Sequence, residues 1–141
     1  LSVLLVPNCA LHSCVGNELN LRRALAASGR VRAVVSLPSR IFADGRPASS
    51  LLVLGDPREP ADASTLMVDT LGCGVPTGSG ASSETHAMRE LPAEVAAHAR
   101  EVLAGWFERG DAACEQGFCR VVGTDDITAN ADVLTPWTYV G

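Results

Sequence analysis

At 141 residues the chain has the length of one domain, and its 47% hydrophobic content suffices for a single core without a metal or disulfide staple. Sixteen acidic residues outweigh eleven Arg, with no Lys, for a net charge of −5; this speaks against free-standing, non-specific nucleic-acid binding but leaves room for a share in a larger binding surface. The longest apolar runs, Val3 to Pro7 and Leu51 to Leu54, fall far short of the ~20 residues of a membrane span, and no basic flank marks a leader, so the composition reads as soluble and cytoplasmic.

Ser2 to Val6 is a continuous apolar run stopped by Pro7-Asn8, the pattern of a strand buried on both faces inside a sheet. After a flexible stretch, Cys9 to Gly16, Asn17 caps a helix whose Leu21, Ala24 and Leu25 recur at helical spacing, with Arg22 and Arg23 on its flank and Gly29 as its stop. Val31 to Leu37 is a second strand closed by Pro38. Ser39 to Pro47 is a loop, and Ser49 to Leu54 a third strand. The helical crossover makes the first two strands parallel, whereas the short Pro38 to Pro47 link suits an antiparallel return.

Leu66 to Asp69 forms a short fourth strand, and residues 72–83 read as a flexible loop rich in Gly, Ser and Thr. Pro92 opens a helix in which Val95, Ala96, Ala99, Val102, Leu103 and Trp106 follow helical spacing up to Gly110. Phe118 to Val122 is a brief strand, Thr124 caps the turn Asp125 to Ile127, and Leu134 to Val140 is extended around Pro136. Residues 1–141 read as a single α/β domain.

Five Cys, at positions 9, 14, 73, 114 and 119, make an odd number without a C-x-x-C, which fits neither a disulfide framework nor a common zinc site; reduced, mostly buried thiols are expected. Cys9, His12 and Cys14 cluster after the first strand, where a thiol and an imidazole can act as nucleophile and base. No acidic orienter or fourth metal ligand accompanies them, which favours two small thiols and a loop histidine. His86 and His98 are too far apart for a helical metal pair, and Glu94, Arg100, Glu101 and Glu108 read as a solvated helix face. Trp106 and Phe107 read as core or interface anchors.

Several phrases in order carry a family resemblance. They are Val3-Leu4-Leu5-Val6-Pro7-Asn8, Gly16-Asn17-Glu18 leading into Leu21-Arg22-Arg23-Ala24-Leu25, and Val31-Arg32-Ala33-Val34-Val35-Ser36-Leu37-Pro38 with Phe42 four residues on. Then come Ser50-Leu51-Leu52-Val53-Leu54, Met67-Val68-Asp69, a helix ending near Trp106, Gly117-Phe118-Cys119-Arg120-Val121-Val122, and the closing Leu134-Thr135-Pro136 with Tyr139-Val140. Over nearly its whole length the chain resembles the later part of an adenine-specific (N-6) DNA methyltransferase, the modification subunit of type I restriction systems. The resemblance implies part of a Rossmann-like methyltransferase sheet: its fifth strand, a crossover helix, the two last strands as an antiparallel hairpin, and further C-terminal elements with a helix.

It also implies S-adenosylmethionine as the cofactor of the complete family fold, bound on a glycine loop that would precede Leu1, and an N-P-P-[FY] motif for the flipped adenine. This sequence contains no such motif, so the chain is expected to hold no cofactor and to be inactive by itself. Val68-Asp69-Thr70-Leu71-Gly72-Cys73-Gly74 superficially resembles the acidic-then-glycine cofactor loop. Asp69, however, lies three positions before Gly72 instead of two, and a plain Gly/Ser linker is the expected reading.

Four residues are candidates for contact with substrate or DNA. Asn8 ends the first strand, where its amide faces the substrate cleft of an intact methyltransferase, although turn preference also accounts for it. Arg40, Phe42 and Arg46 form an Arg-aromatic-Arg cluster suited to phosphate contact and base stacking; the alternative is a packed Phe42 with solvated arginines. The expected partners are an upstream methyltransferase half or a second copy through the first strand, with DNA met within a larger assembly and no membrane. The alternative function is a stand-alone methyltransferase-like protein that has lost methyl transfer and serves as a dimeric binding protein or small-molecule enzyme.

Overall fold

The computed structural model describes residues 1–43, 45–77 and 88–141. In chain order the elements are β1 (Ser2–Pro7), a 3-10 turn (Asn8–Leu11), α1 (Gly16–Ala27), β2 (Val31–Ser36), β3 (Ser49–Leu54) and β4 (Ser64–Asp69). There follow β5 (Val75–Pro76), β6 (Arg89–Glu90), α2 (Ala93–Arg109), β7 (Cys119–Gly123), α3 (Thr124–Ala129) and α4 (Trp137–Val140). Five strands form one mixed sheet in the order β1-β3-β2-β4-β7, and β5 with β6 makes a small antiparallel ribbon.

β3 is antiparallel to both β1 and β2, so β1 and β2 run the same way with a reversed strand between them. The sequence predicts both features: a helix crossover between strands of like direction and a short antiparallel return. β4 then pairs in parallel with β2, and β7 closes that side antiparallel to β4. The fold is thus mixed α/β, with parallel strands in the main sheet.

The two faces of the sheet have separate cores. Val34, Leu52, Met67 and Val122 pack with Ala26 of α1, Ile127 of α3, and Leu134, Tyr139 and Val140 near the C-terminus. Ala33, Val35, Val53, Leu66 and Val68 pack on the other face against Ala99, Val102 and Trp106 of α2. The two-residue alternation of strands sends adjacent residues into opposite layers. Trp106, 5% exposed, is the core anchor the helical spacing predicts, and its indole N–H donates to the Arg32 carbonyl at 2.8 Å.

Several expectations need correction. β1 is an edge strand, not a buried one: among the described residues only β3 pairs with it. Val3 and Leu5, opposite Val53 and Leu51, are 59% and 40% exposed on the α2 side; Leu4, opposite Leu52, is 46% exposed on the α1 side. α1 is also turned from its expected orientation. Leu21 is 64% exposed, whereas Arg22, expected on the flank, is 4% exposed. The Arg22 guanidinium is drawn inward because it donates to the carbonyls of Asp132 (2.7 Å), Ser13 (2.8 Å) and Ala10 (3.2 Å), joining three segments with one planar donor group.

The C-terminal stretch is not extended throughout. Pro136 takes helical angles (φ −54°, ψ −41°), its carbonyl accepts the N–H groups of Tyr139 and Val140, and a helix turn follows. A proline's missing N–H is no loss at a helix start. Among the thiols only Cys119 is buried; Cys9, Cys14 and Cys114 are exposed and Cys73 lies between, so the expectation of mostly buried thiols fails. Residues 78–83 of the expected loop, and His86, lie outside the described residues, while β5 falls within 72–77.

Replacing Arg22 with Ala strands three inward-facing carbonyls and is expected to cost about 3 kcal/mol, read as a lower urea midpoint at unchanged slope. Tyr139, the single tyrosine, gives a second test. Burial, aided by Asp132 and Asp126, pushes its phenol up from 10.0 to about 12. Between those values the unfolded phenol has lost its proton and the folded one keeps it, so stability should fall as pH rises through that window. An absorbance titration should place phenolate formation near 12 in the folded chain.

Candidate functional site

β1, β2 and β4 all run in one direction, so the segments leaving their carboxyl ends meet at one end of the sheet. Open α/β sheets hold ligands at this end. Asn8 leaves β1 there, residues 37–43 and 45–48 join β2 to β3 there, and residues 70–74 leave β4. The fold therefore brings all four sequence-predicted contact residues, Asn8, Arg40, Phe42 and Arg46, to the same end.

Asn8 is held firmly. Its N–H donates to the Ala48 carbonyl at 2.9 Å, extending the β1–β3 ladder by one residue, and its amide oxygen accepts the hydroxyl of buried Ser50 at 2.7 Å. Phe42 and Arg46 are a stacked pair, with the guanidinium carbon 5.1 Å from the ring centroid. Phe42 is half-buried and Arg46 exposed, so both alternatives of the sequence reading meet here: the ring packs, and it packs under an arginine. An exposed cation–π contact is worth roughly 0.5–1 kcal/mol, small enough to be exchanged for a phosphate or base.

Arg40 sits at φ 62°, in the left-handed region that side chains seldom adopt, and its carbonyl accepts the Arg89 N–H at 2.9 Å. The Arg89 guanidinium donates to the Gly74 carbonyl at 3.3 Å. Arg40, Arg46 and Arg89 thus bring local positive charge to the strand ends of an acidic chain. The β5–β6 ribbon that carries Arg89 is tied directly to the loop after β2.

Below that loop lies a buried polar knot. The Ser36 hydroxyl donates to the Asp69 carboxylate at 2.6 Å and accepts the Thr70 N–H at 3.0 Å, while the Thr70 hydroxyl donates back to the Ser36 carbonyl. Asp69 Oδ1 also accepts the Leu71 N–H at 3.0 Å, an Asx turn closing the end of β4. These bonds decide how Asp69 to Gly74 is used. The carboxylate oxygen is engaged inside the protein, and Gly74 lies so close to Pro38 that an added Cβ would come within 2.6 Å of the proline Cβ. A loop pressed onto its neighbour does not offer the open glycine cradle that S-adenosylmethionine needs, so these residues do not fit that cofactor.

Cys9, Cys14 and His12 are exposed on the turn after β1, and no His, Cys, Asp or Glu group among the described residues is arranged to hold a metal. No helix among the described residues is long and apolar enough to cross a membrane. Sequence reading missed Ser36, Ser50, Thr70 and Arg89. Ser36 and Asp69-Thr70, polar residues closing apolar strands, carry a turn signal; Arg89 carries none, because its place depends on the ribbon.

A model of the N-6 DNA methylase family matches residues 2–141. The chain belongs to that family. It is similar, at 24% identity over 138 residues, to the type I restriction enzyme HindI methylase subunit of Haemophilus influenzae, with 98% of this chain and 29% of that protein covered. In fold this N-6 methylase chain is similar to the type I restriction-modification methyltransferase subunit of Streptococcus thermophilus: TM-score 0.72 at 19% identity, over 99% of this chain and 26% of that one. A chain from a structural study of type I R-M complex assembly and conformational transition gives a TM-score of 0.67 at 20% identity, over 94% of this chain and 27% of that one. The chain thus spans under a third of the length of these relatives.

Titrating S-adenosylmethionine into this chain should give no binding heat. Micromolar binding that disappears on changing Gly72 and Gly74 would show that the pressed loop opens to form a cofactor cradle after all.

Proposed function

We propose that this N-6 methylase chain is the C-terminal portion of the catalytic fold of an adenine-specific DNA methyltransferase of the type I modification-subunit kind. On this reading it completes the sheet and contributes Asn8, Arg40, Phe42 and Arg46 beside the DNA, while the glycine loop for S-adenosylmethionine and the N-P-P-[FY] residues belong to the portion it joins. It does not transfer methyl groups by itself.

The observation that carries this reading is the uncovered side of β1. Among the described residues, the six residues of extended backbone have a hydrogen-bonding neighbour on one side, and apolar Val3, Leu4 and Leu5 reach solvent on both faces. Soluble proteins guard such edges with charge, proline or a covering element. β1 has no charged residue, and its single proline comes at the end. Beside it a cavity of about 110 Å³, lined by Val6, Ala10, Leu11, Leu21, Leu25 and Leu52, continues the apolar surface onto α1. A strand with flanking helices, as the methyltransferase half would provide, fits this surface. The arginine lip supports DNA contact within the assembly.

The test is complementation. Co-expressed with a methyltransferase half carrying the glycine loop and N-P-P-[FY], the chain should form a stable complex that moves labelled methyl from S-adenosylmethionine to adenine in DNA. Each part alone should be inactive. Methyl transfer by the chain alone, or a concentration-independent monomer in sedimentation that ignores the added half, would overturn the proposal. A tight homodimer that excludes the half would favour the alternative of a stand-alone, dimeric descendant.

A further inference from the structure

We infer that Gly74 and Pro38, backed by the Ser36–Asp69–Thr70 knot, are positioning residues that hold the Phe42–Arg46 pair in place for nucleic acid. The inference rests on the DNA-contact reading above and goes beyond it, because none of these residues touches DNA.

The mechanical path is continuous. Pro38 is the second residue after β2 and is buried, and Gly74 packs directly on it. Gly74 has no positive φ, so its lack of a side chain is required by this approach and not by its backbone angles. From Gly74 the contact runs through its carbonyl to the Arg89 guanidinium, and from the Arg89 N–H to the carbonyl of Arg40. The loop is therefore gripped at Pro38 and again at Arg40, two residues before Phe42. At its far end Ser49 donates to the Pro47 carbonyl at 2.9 Å and accepts the Leu37 N–H through its own carbonyl at 3.1 Å. Ser36 and Thr70 are both fully buried, so the knot fixes the level at which the Gly74 turn meets the proline. A buried, mutually satisfied polar group tolerates few alternative arrangements, which suits a part that sets position.

The discriminating experiment exploits the contact itself. In the complex with the methyltransferase half, Arg46→Ala should weaken DNA binding about tenfold, the scale of one lost charge-assisted contact, and Gly74→Ala, by pushing Pro38 aside, should weaken it to a similar extent. In both variants the slope of log affinity against log salt should drop by about one, which a general loss of stability would not produce. S-adenosylmethionine affinity should be unchanged. Pro38→Gly takes away the other half of the contact, so it should weaken binding and lower the slope in the same direction, and the Gly74→Ala/Pro38→Gly double variant should cost no more than the larger single effect. Fluorine NMR of fluorophenylalanine-labelled chain gives an independent reading: the Phe42 resonance, assigned with Phe42→Leu, should shift in each single variant and no further in the double one.

If Gly74→Ala keeps the parent resonance, affinity and slope while Arg46→Ala weakens binding, the positioning role is wrong. Single-variant effects that simply add in the double variant, or a Pro38→Gly variant that leaves the Phe42 resonance in place, are equally fatal to it. If Arg46→Ala leaves DNA binding intact, the DNA-contact reading fails instead, and the resonance alone still decides whether Gly74 positions the pair. Should Gly74→Ala not fold, Thr70→Val, which removes the hydroxyl donor to Ser36 at constant shape, must move the Phe42 resonance and the salt slope in the same direction, or the inference falls.

Discussion

Hydrogen bonding along one side of β1 is the constraint on which the molecule turns. A strand as apolar as Val3 to Val6 gains its place in a fold by burying side chains on both faces and pairing its backbone on both sides. Here β3 supplies one ladder, α1 partly covers one face, and α2 stops short of the other, leaving Val3 and Leu5 in solvent. The remaining side of the sheet is finished differently. β7 closes it with Cys119 and Val122 buried and Arg120 and Val121 exposed, and Arg120 puts a charge on that edge and donates to the Tyr139 carbonyl. The two edges of one sheet are therefore not equivalent. One is built as an edge and the other as an interior strand.

The reversed strand β3 links this unfinished edge to the candidate site. Because β3 runs against β1 and β2, its beginning lies where they end, so residues 37–43 and 45–48 stay at the carboxyl end of the sheet instead of crossing to the other side. The same register places Ser50 opposite Val6 and within reach of Asn8, which ties the end of β1 to the start of β3. Whatever completes the sheet beyond β1 would come to lie next to Asn8 and within one strand of the arginine lip. Edge and site thus belong to a single geometric arrangement, and a partner that satisfies one is placed to share the other.

Much of the architecture is legible in the chain because local chemistry and tertiary packing agree. Pro7, Pro38 and Gly110 stop their elements where turn chemistry demands, and α2 keeps a helical stripe from Ala99 to Trp106 that faces the sheet. Legibility fails where one long-range bond outweighs the pattern. In α1, spacing points to Leu21 as core, yet the three carbonyls that meet Arg22 come from segments as distant as Asp132, and no window of sequence contains them. The end of the chain fails for a milder reason: Pro136 suits an extended chain and a first helical turn equally, and Tyr139 tips it toward the helix by reaching the Val133 carbonyl. At the site, residue types were readable and relations were not. Arg40, Phe42 and Arg46 announce a cluster by proximity in sequence, whereas the Gly74 contact and the Arg89 bond exist only because β4 lies beside β2.

The turn after β4 shows how one sequence phrase serves two physical ends. An acidic residue followed by glycines reads as a cradle for a ligand, because glycine lets backbone approach something closely. In this chain the close approach is made to Pro38, and the carboxylate accepts hydrogen bonds from Ser36 and Leu71. The requirement for glycine is the same in both cases, but the object approached is a neighbouring loop. A site formed this way gains definition from two strand ends holding one another. That is a physical route by which two strand ends fix one another while Arg46 stays exposed above the half-buried Phe42 ring.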